Sequence, residues 1–253
     1  GVRRVMNHIY SDSRLRKLRH KTSFSEFSPF RRTKIRLKKE IVTMGIPDID
    51  PNSNVGTYVE PEDWNQLISK PNVIVIDTRN DYEVEIGSFV NSTHPNINKF
   101  RDLPRWISAN QSCLTHKKIA MYCTGGIRCE KASAHMLKNG FEKVYHLKSG
   151  ILNYLDNIDP AESLWEGECF VFDHRVSVTH GLEEGTCEIC FGCRWPLKQE
   201  ELQSPKYEPG VCCPRCSDSL TPERRARLEE RHRQVVLARF QNKQHIGQKI
   251  ERG

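Results

Sequence analysis

The hexapeptide Cys123-Thr124-Gly125-Gly126-Ile127-Arg128 is the segment of this chain best equipped for chemistry. Its cysteine follows Ile119-Ala120-Met121-Tyr122, an apolar run that reads as a strand buried on both faces. A helix is expected from about Arg128 to Asn139, with Gly140 as its C-terminal cap. Paired glycines let successive backbone N–H groups turn inward, and such a nest at a helix N-terminus stabilises an anion at its centre. The same field lowers a thiol pKa from ~8.5 toward ~7 or below, and the thiolate is the nucleophile. Arg128 is expected to close the rim as an anion clamp, with Thr124, Gly125, Gly126 and Ile127 forming the loop between. A buried cysteine beside a tight turn is the plainer alternative. Strand end, glycine pair, arginine and helix start together favour a reactive Cys123.

Six of the ten cysteines fall within residues 187–216. Cys190-Phe-Gly-Cys193 and Cys213-Pro-Arg-Cys216 are two CxxC pairs separated by 19 residues, the spacing of a four-cysteine zinc ribbon. A closed four-sulfur site would be structural. Cys187 and Cys212 could substitute as ligands, and an unmetallated thiol cluster or redox disulfides compete with the zinc reading. Cys129 could resolve a disulfide with Cys123, or be a small buried residue in the first helical turn. Cys113 and Cys169 have no distinguishing context. Ten cysteines in 253 residues fall well below the ~8–10% of a disulfide scaffold, which points to a reducing, cytoplasmic setting.

Around the loop the pattern is strand–helix alternation. Val73-Ile74-Val75-Ile76 ends at Asp77, Val144-Tyr145-His146-Leu147 is a further strand, and Gly150 opens a helix through Tyr154 and Leu155. Parallel strands with crossover helices imply an open α/β domain over residues 56–160. Residues 47–55 read as a linker, 161–220 as a cysteine-rich module and 221–253 as a basic helical tail. In that tail Thr221 caps a helix with Pro222 at its first position, and Glu223–Arg227 and Glu229–Arg233 are expected to pair at i, i+4. Residues 1–46 begin with an amphipathic helix (Val2, Val5, Met6, Ile9), then Lys34-Ile35-Arg36-Leu37-Lys38 alternates as a basic strand. These two elements cannot close a core alone, so they read as the tail of a larger domain that looks cut at the front.

Charge is unevenly spread. Residues 1–44 carry 13 Lys/Arg against three acids, and residues 222–253 carry 9 against 4, around an acidic centre. Basic flanks suit a polyanion, and Lys34, Arg36 and Lys38 are candidate RNA contacts; ordinary solubilising surface is the alternative. No apolar run approaches ~18 residues, so no membrane span is expected, and no secretory signal is visible.

CTGGIR resembles the six-residue active loop of the rhodanese family, in which the cysteine carries a persulfide. Val75-Ile76-Asp77-Thr78-Arg79, with Tyr82-Glu83 and Gly87, is similar to that family's upstream signature, and Val144–Gly150 to its downstream one, with Ser149 in place of the usual first glycine. The resemblance implies that Asp77 and Arg79 hold the fold around the loop. Related phosphatases have a loop one residue longer, which disfavours phosphatase chemistry. MYCTGGIRCEKASA at 121–134, RRTKIRLKKEIVTMG at 31–45 and VFD at 171–173 resemble more closely the bacterial tRNA uridine hydroxylase family. That resemblance implies an α/β fold: a rhodanese-like open parallel sheet with flanking helices, preceded by a partial acylphosphatase-like α+β remnant (1–46) and followed by the cysteine-rich module. It also implies oxygen-dependent 5-hydroxylation of the wobble uridine, with tRNA as partner and molecular oxygen as co-substrate. No flavin or nicotinamide motif follows a strand, and no local HxD or HxE pair begins an iron triad. Two other readings stay open: a sulfurtransferase passing persulfide sulfur from Cys123 to a small or protein acceptor, and a non-catalytic tRNA-binding or redox-sensing module.

Overall fold

Short apolar runs flanked by helices bury both faces of their strands, and the centre of this protein is built that way. The computed structural model describes residues 1–18, 20, 22, 24, 25, 27–30 and 35–241. Helix α1 (Val2–Ser11) comes first. The α/β unit follows with β1 (Thr57–Val59), α2 (Pro61–Ile68), β2 (Val73–Asp77), α3 (Asp81–Val84) and β3 (Gly87–Phe89). It continues through α4 (Leu103–Ala109), α5 (Gln111–Leu114), β4 (Lys118–Tyr122), α6 (Ile127–Lys138), β5 (Val144–Leu147) and α7 (Gly150–Asn157). Beyond them lie β6 (Trp165–Gly167), β7 (Cys169–Phe170), β8 (Ser177–Val178), β9 (Glu188–Ile189), β10 (Pro196–Leu197), α8 (Gln199–Leu202) and α9 (Pro222–Phe240).

The main sheet has the order β1-β5-β4-β2 and every pairing in it is parallel. Successive side chains on a strand point to opposite faces. Ile119 and Met121 of β4 therefore join Ile76, Val144, Leu103, Ile107, Ala132 and Met136 on the α4/α6 side. Ala120 and Tyr122 face the other way, into Trp64, Leu67, Leu147, Ile151 and Tyr154 beneath α2 and α7. Asp77 ends β2 opposite Tyr122, the last residue of β4. Cys123 thus leaves the carboxyl edge beside Thr78, where open α/β sheets place their chemistry.

The packed unit extends past residue 160. β6 pairs antiparallel with β3, and Trp165, Cys169, Val171 and Val178 belong to the same core as Trp64 and Tyr122. Two further two-stranded ribbons, β7–β8 and β9–β10, lead into the cysteine cluster.

Two expectations fail at the ends. Lys34 lies outside the described residues, and the expected strand does not form over residues 35–38: Ile35 and Leu37 are 92% and 103% exposed, and Arg36 and Lys38 are exposed as well. Alternation alone makes no strand without a neighbouring edge to pair with. On α9, Thr221 caps the helix as expected, accepting from the Arg224 N–H at 3.3 Å. Its ion pairs differ: Arg233 meets Glu230 at 2.8 Å rather than Glu229, and Glu229 lies 3.6 Å from Arg225. Glu223 and Arg227 form no ion pair, although the Arg227 charge still favours the Glu223 carboxylate. Residues three apart share a helix face as fully as residues four apart. Among the described residues no helix is long and apolar enough to cross a membrane.

Candidate active site and metal centre

Cys123 sits on the floor of the loop between β4 and α6, 1% exposed. Gly126 caps α6 with a φ of +89°, a left-handed conformation that glycine takes without strain. That turn aims the Gly126 N–H at the Cys123 Sγ, 3.2 Å away. Burial opposes ionisation of this thiol. The Cys129 thiol, the Arg128 guanidinium and the N–H groups of Cys129 and Arg128 outweigh it, bringing the Cys123 pKa down to about 6. Burial and the adjacent Cys123 push Cys129 well above the usual thiol range, so it keeps its proton. A second helix holds the loop from behind. The first N–H groups of α7, on Ile151 and Leu152, donate to the carbonyls of Cys123 (3.0 Å) and Thr124 (3.1 Å). This approach requires Gly150: a Cβ there would stand 2.3 Å from the Cys123 carbonyl oxygen.

Arg128 is not a free clamp on the rim. Its guanidinium makes a bidentate pair with Glu83, 2.6 Å at each contact, and reaches the Thr124 hydroxyl at 3.3 Å. Glu83 is fully buried and also accepts from the Thr124 hydroxyl (3.2 Å) and the Asn80 N–H (3.1 Å). The expected anion clamp is therefore a brace whose positive charge acts on Cys123 from inside the loop. The sequence offered Asn80-x-x-Glu83, half of a helix capping box, but nothing that joined Glu83 to Arg128, 45 residues away. Arg79 secures the other side of α3. Fully buried, it pairs with Asp77 (2.6 Å) and donates to the carbonyls of Glu83 (3.0 Å) and Gly87 (2.6 Å), stacked over Trp165 at 5.1 Å.

Of the loop residues, Gly125 and Ile127 reach solvent. Ile127, with Glu130 and Lys131 of α6, forms one wall of a cavity of about 600 Å³. Residues 39–41 and 45–51 form the other wall. That segment is tied across α6 by an ion pair between Glu40 and Lys131, by Lys138 donating to the Asp48 carbonyl (3.2 Å) and by buried Met44.

The two CxxC pairs converge. The Sγ atoms of Cys190, Cys193, Cys213 and Cys216 all lie within 4.8 Å of one another. Three separations are 3.7 Å (193–213), 3.8 Å (190–216) and 3.9 Å (213–216). Four sulfurs arranged tetrahedrally at ~2.3 Å from one ion stand roughly 3.8 Å apart, close to these three separations, so the donor set fits a thiophilic metal. Cys187 and Cys212 are not in the set. Cys187 lies beside Glu168, and the Cys212 thiol faces the Lys206 carbonyl at 3.6 Å. Cys129 and Cys169 are buried and Cys113 is exposed.

The rhodanese-like domain family matches residues 60–157. Among solved structures, a rhodanese-like domain protein from Staphylococcus aureus is 20% identical, covering 39% of this chain and 90% of its own, with a TM-score of 0.33. Two curated relatives align along nearly the whole chain. The tRNA uridine(34) hydroxylase of Teredinibacter turnerae is 54% identical over 251 residues, 99% of this chain and 78% of the relative. The protein of the same name from Sinorhizobium medicae is 55% identical over 247 residues, 98% of this chain and 78% of the relative.

Proposed function

This chain belongs to the tRNA uridine(34) hydroxylase family, and on that footing we propose that it hydroxylates C5 of the wobble uridine of tRNA. Dioxygen is the co-substrate, one of its atoms entering C5 while the other leaves as water with two electrons and two protons from a thiol reductant, and Cys123 is the reactive residue. The observation that carries the reading is a buried Cys123 whose sulfur accepts the Gly126 N–H at 3.2 Å in a six-residue cradle, inside a chain that aligns over 99% of its own length with 78% of such a hydroxylase. Arg128 supports catalysis as the charge that favours the thiolate, and Thr124 to Ile127 shape the loop. The cavity beside Ile127 is within the size range of small-molecule sites.

Cys190, Cys193, Cys213 and Cys216 hold one structural zinc in this reading, and the sulfur spacing supports it. When bound, the ion supplies folding energy rather than chemistry, because all four positions are taken by protein. Protein purified without chelator is expected to carry about one zinc per chain. Absence of metal, with all four thiols freely titratable, overturns the site.

The decisive experiment supplies purified protein with tRNA lacking the modification, in air and anaerobically, and reads nucleosides by mass spectrometry. Growth of 5-hydroxyuridine only in air, abolished by Cys123→Ser, is the expected result. Thiolated product, or transfer of sulfur from thiosulfate to cyanide indifferent to oxygen, returns the protein to sulfur transfer.

A further inference from the structure

Arg194 stands where the backbone suits glycine. It follows the second cysteine of the first CxxC pair with a φ of +70°. Its N–H closes that knuckle on the Cys190 carbonyl at 2.8 Å. A side chain in this conformation is strained. The Arg194 side chain is exposed, and its guanidinium lies 5.3 Å from the centre of the Phe191 ring. From α9, Arg231 reaches the same ring at 4.8 Å. A third arginine, Arg224, donates to the neighbouring Gly192 carbonyl at 2.6 Å. Three guanidinium groups thus converge on Phe191-Gly192. Among the described residues, no carboxylate pairs with Arg194 or Arg224. The aromatic ring offsets part of the mutual repulsion and fixes two of the forks in place. Such an assembly is complementary to phosphate, which arginine recognises better than lysine does because its donors are planar and paired.

We infer that this knuckle is an RNA-backbone contact surface, on which Arg194, seated on Phe191 beside Arg231 and Arg224, receives a phosphate group of the tRNA. The inference rests on the reading that tRNA is the substrate. It adds the cysteine-rich module to the parts of the chain that hold it.

The test uses the whole 253-residue chain, metal-loaded and carrying Cys123→Ser, so that binding is measured without turnover. Unmodified tRNA is titrated across a sodium chloride series. Arg194→Gly relieves the backbone while removing the guanidinium, so its thermal midpoint should equal or exceed that of the parent. Its tRNA affinity should nevertheless fall about tenfold, and the slope of log K against log salt should flatten by roughly 0.7–0.9 for each phosphate no longer neutralised. Phe191→Leu, which removes the seat but no charge, should weaken binding in the same direction. Arg233→Gln removes an equal charge from α9, where Arg233 already pairs with Glu230 at 2.8 Å, and should change affinity little. Equal losses from Arg194→Gly and Arg233→Gln would mean a diffuse field and overturn the surface. So would unaltered binding by Arg194→Gly while the parent binds tRNA, a result that leaves the hydroxylase reading intact. Inorganic phosphate that raises the thermal midpoint of the parent but not of Arg194→Gly, with tRNA affinity unchanged, would show a small-anion site instead. Failure of the parent to bind tRNA at all would remove both the surface and the hydroxylase reading.

Discussion

A thiol on the floor of a loop reacts only as far as it is ionised. With its pKa brought down to about 6, Cys123 favours the thiolate at pH 7. Its alkylation by iodoacetamide should rise through pH 6 and level off by pH 7, whereas ordinary thiols still accelerate through ~8.5. A Cys113→Ser background removes the one exposed cysteine among the described residues and isolates that profile. Cys129→Ala takes away a thiol donor and should move the midpoint upward; a parent midpoint above 8 would contradict a thiolate-stabilising cradle. Glu83 and Arg128 form the other residue-scale unit. Removing one partner leaves a buried charge unmatched, which costs about 3–5 kcal/mol, whereas replacing both with apolar residues is far milder. In denaturant titrations Glu83→Ala should therefore lose about that much stability. The double variant Glu83→Met, Arg128→Met should recover most of it and still fail to hydroxylate tRNA. Recovery of activity along with stability would reduce the pair to a scaffold role.

Elements deliver these side chains through a few close approaches. α7 can reach the loop carbonyls only because residue 150 lacks a Cβ, and it does so at a φ of +71°. Gly150→Ala should cost about 2–4 kcal/mol from strained backbone and overpacking together, and should release the turn that presents Cys123. Calorimetry and the alkylation profile would both register it. Which elements were legible in the sequence follows from the same physics. β4, its glycine turn and α6 could be read because a run buried on both faces, a left-handed cap and a helix succeed one another within 21 residues. The CxxC pairs were equally plain, since metal geometry constrains their spacing. β1 and α3 were not, being three and four residues long and held by partners distant in sequence. Ile35 and Leu37 misled because alternation records a preference, while a strand needs a neighbour to bond with. Arg128 looked like a clamp because its carboxylate partner arrives only through folding.

On the scale of the whole molecule, the four-cysteine cluster and the α/β unit meet at α3. Tyr82 packs edge-on against Trp195, with ring centres 6.1 Å apart, and Trp195 Nε1 donates to Glu85 at 3.1 Å. Arg215 pairs with Glu85 while lying over the Trp195 ring at 5.1 Å. One helical turn therefore faces the module through Tyr82 and is capped by Glu85, while Glu83 faces the loop. Trp195→Ala should lower tRNA hydroxylation several-fold and alter the pH profile of Cys123. Unchanged activity with a loosened module would show that the two units are merely neighbours. The arrangement also sets an order on synthesis. A lone four-residue helix has too few hydrogen bonds to persist, and the residue that braces it, Arg215, lies 130 positions after Glu85. While the chain is emerging from the ribosome, Cys123 is already outside long before Trp195 and Arg215 have been added. The nascent protein thus holds a thiol with an unfinished brace, and its reactivity is completed late, when the last third of the chain folds back onto α3.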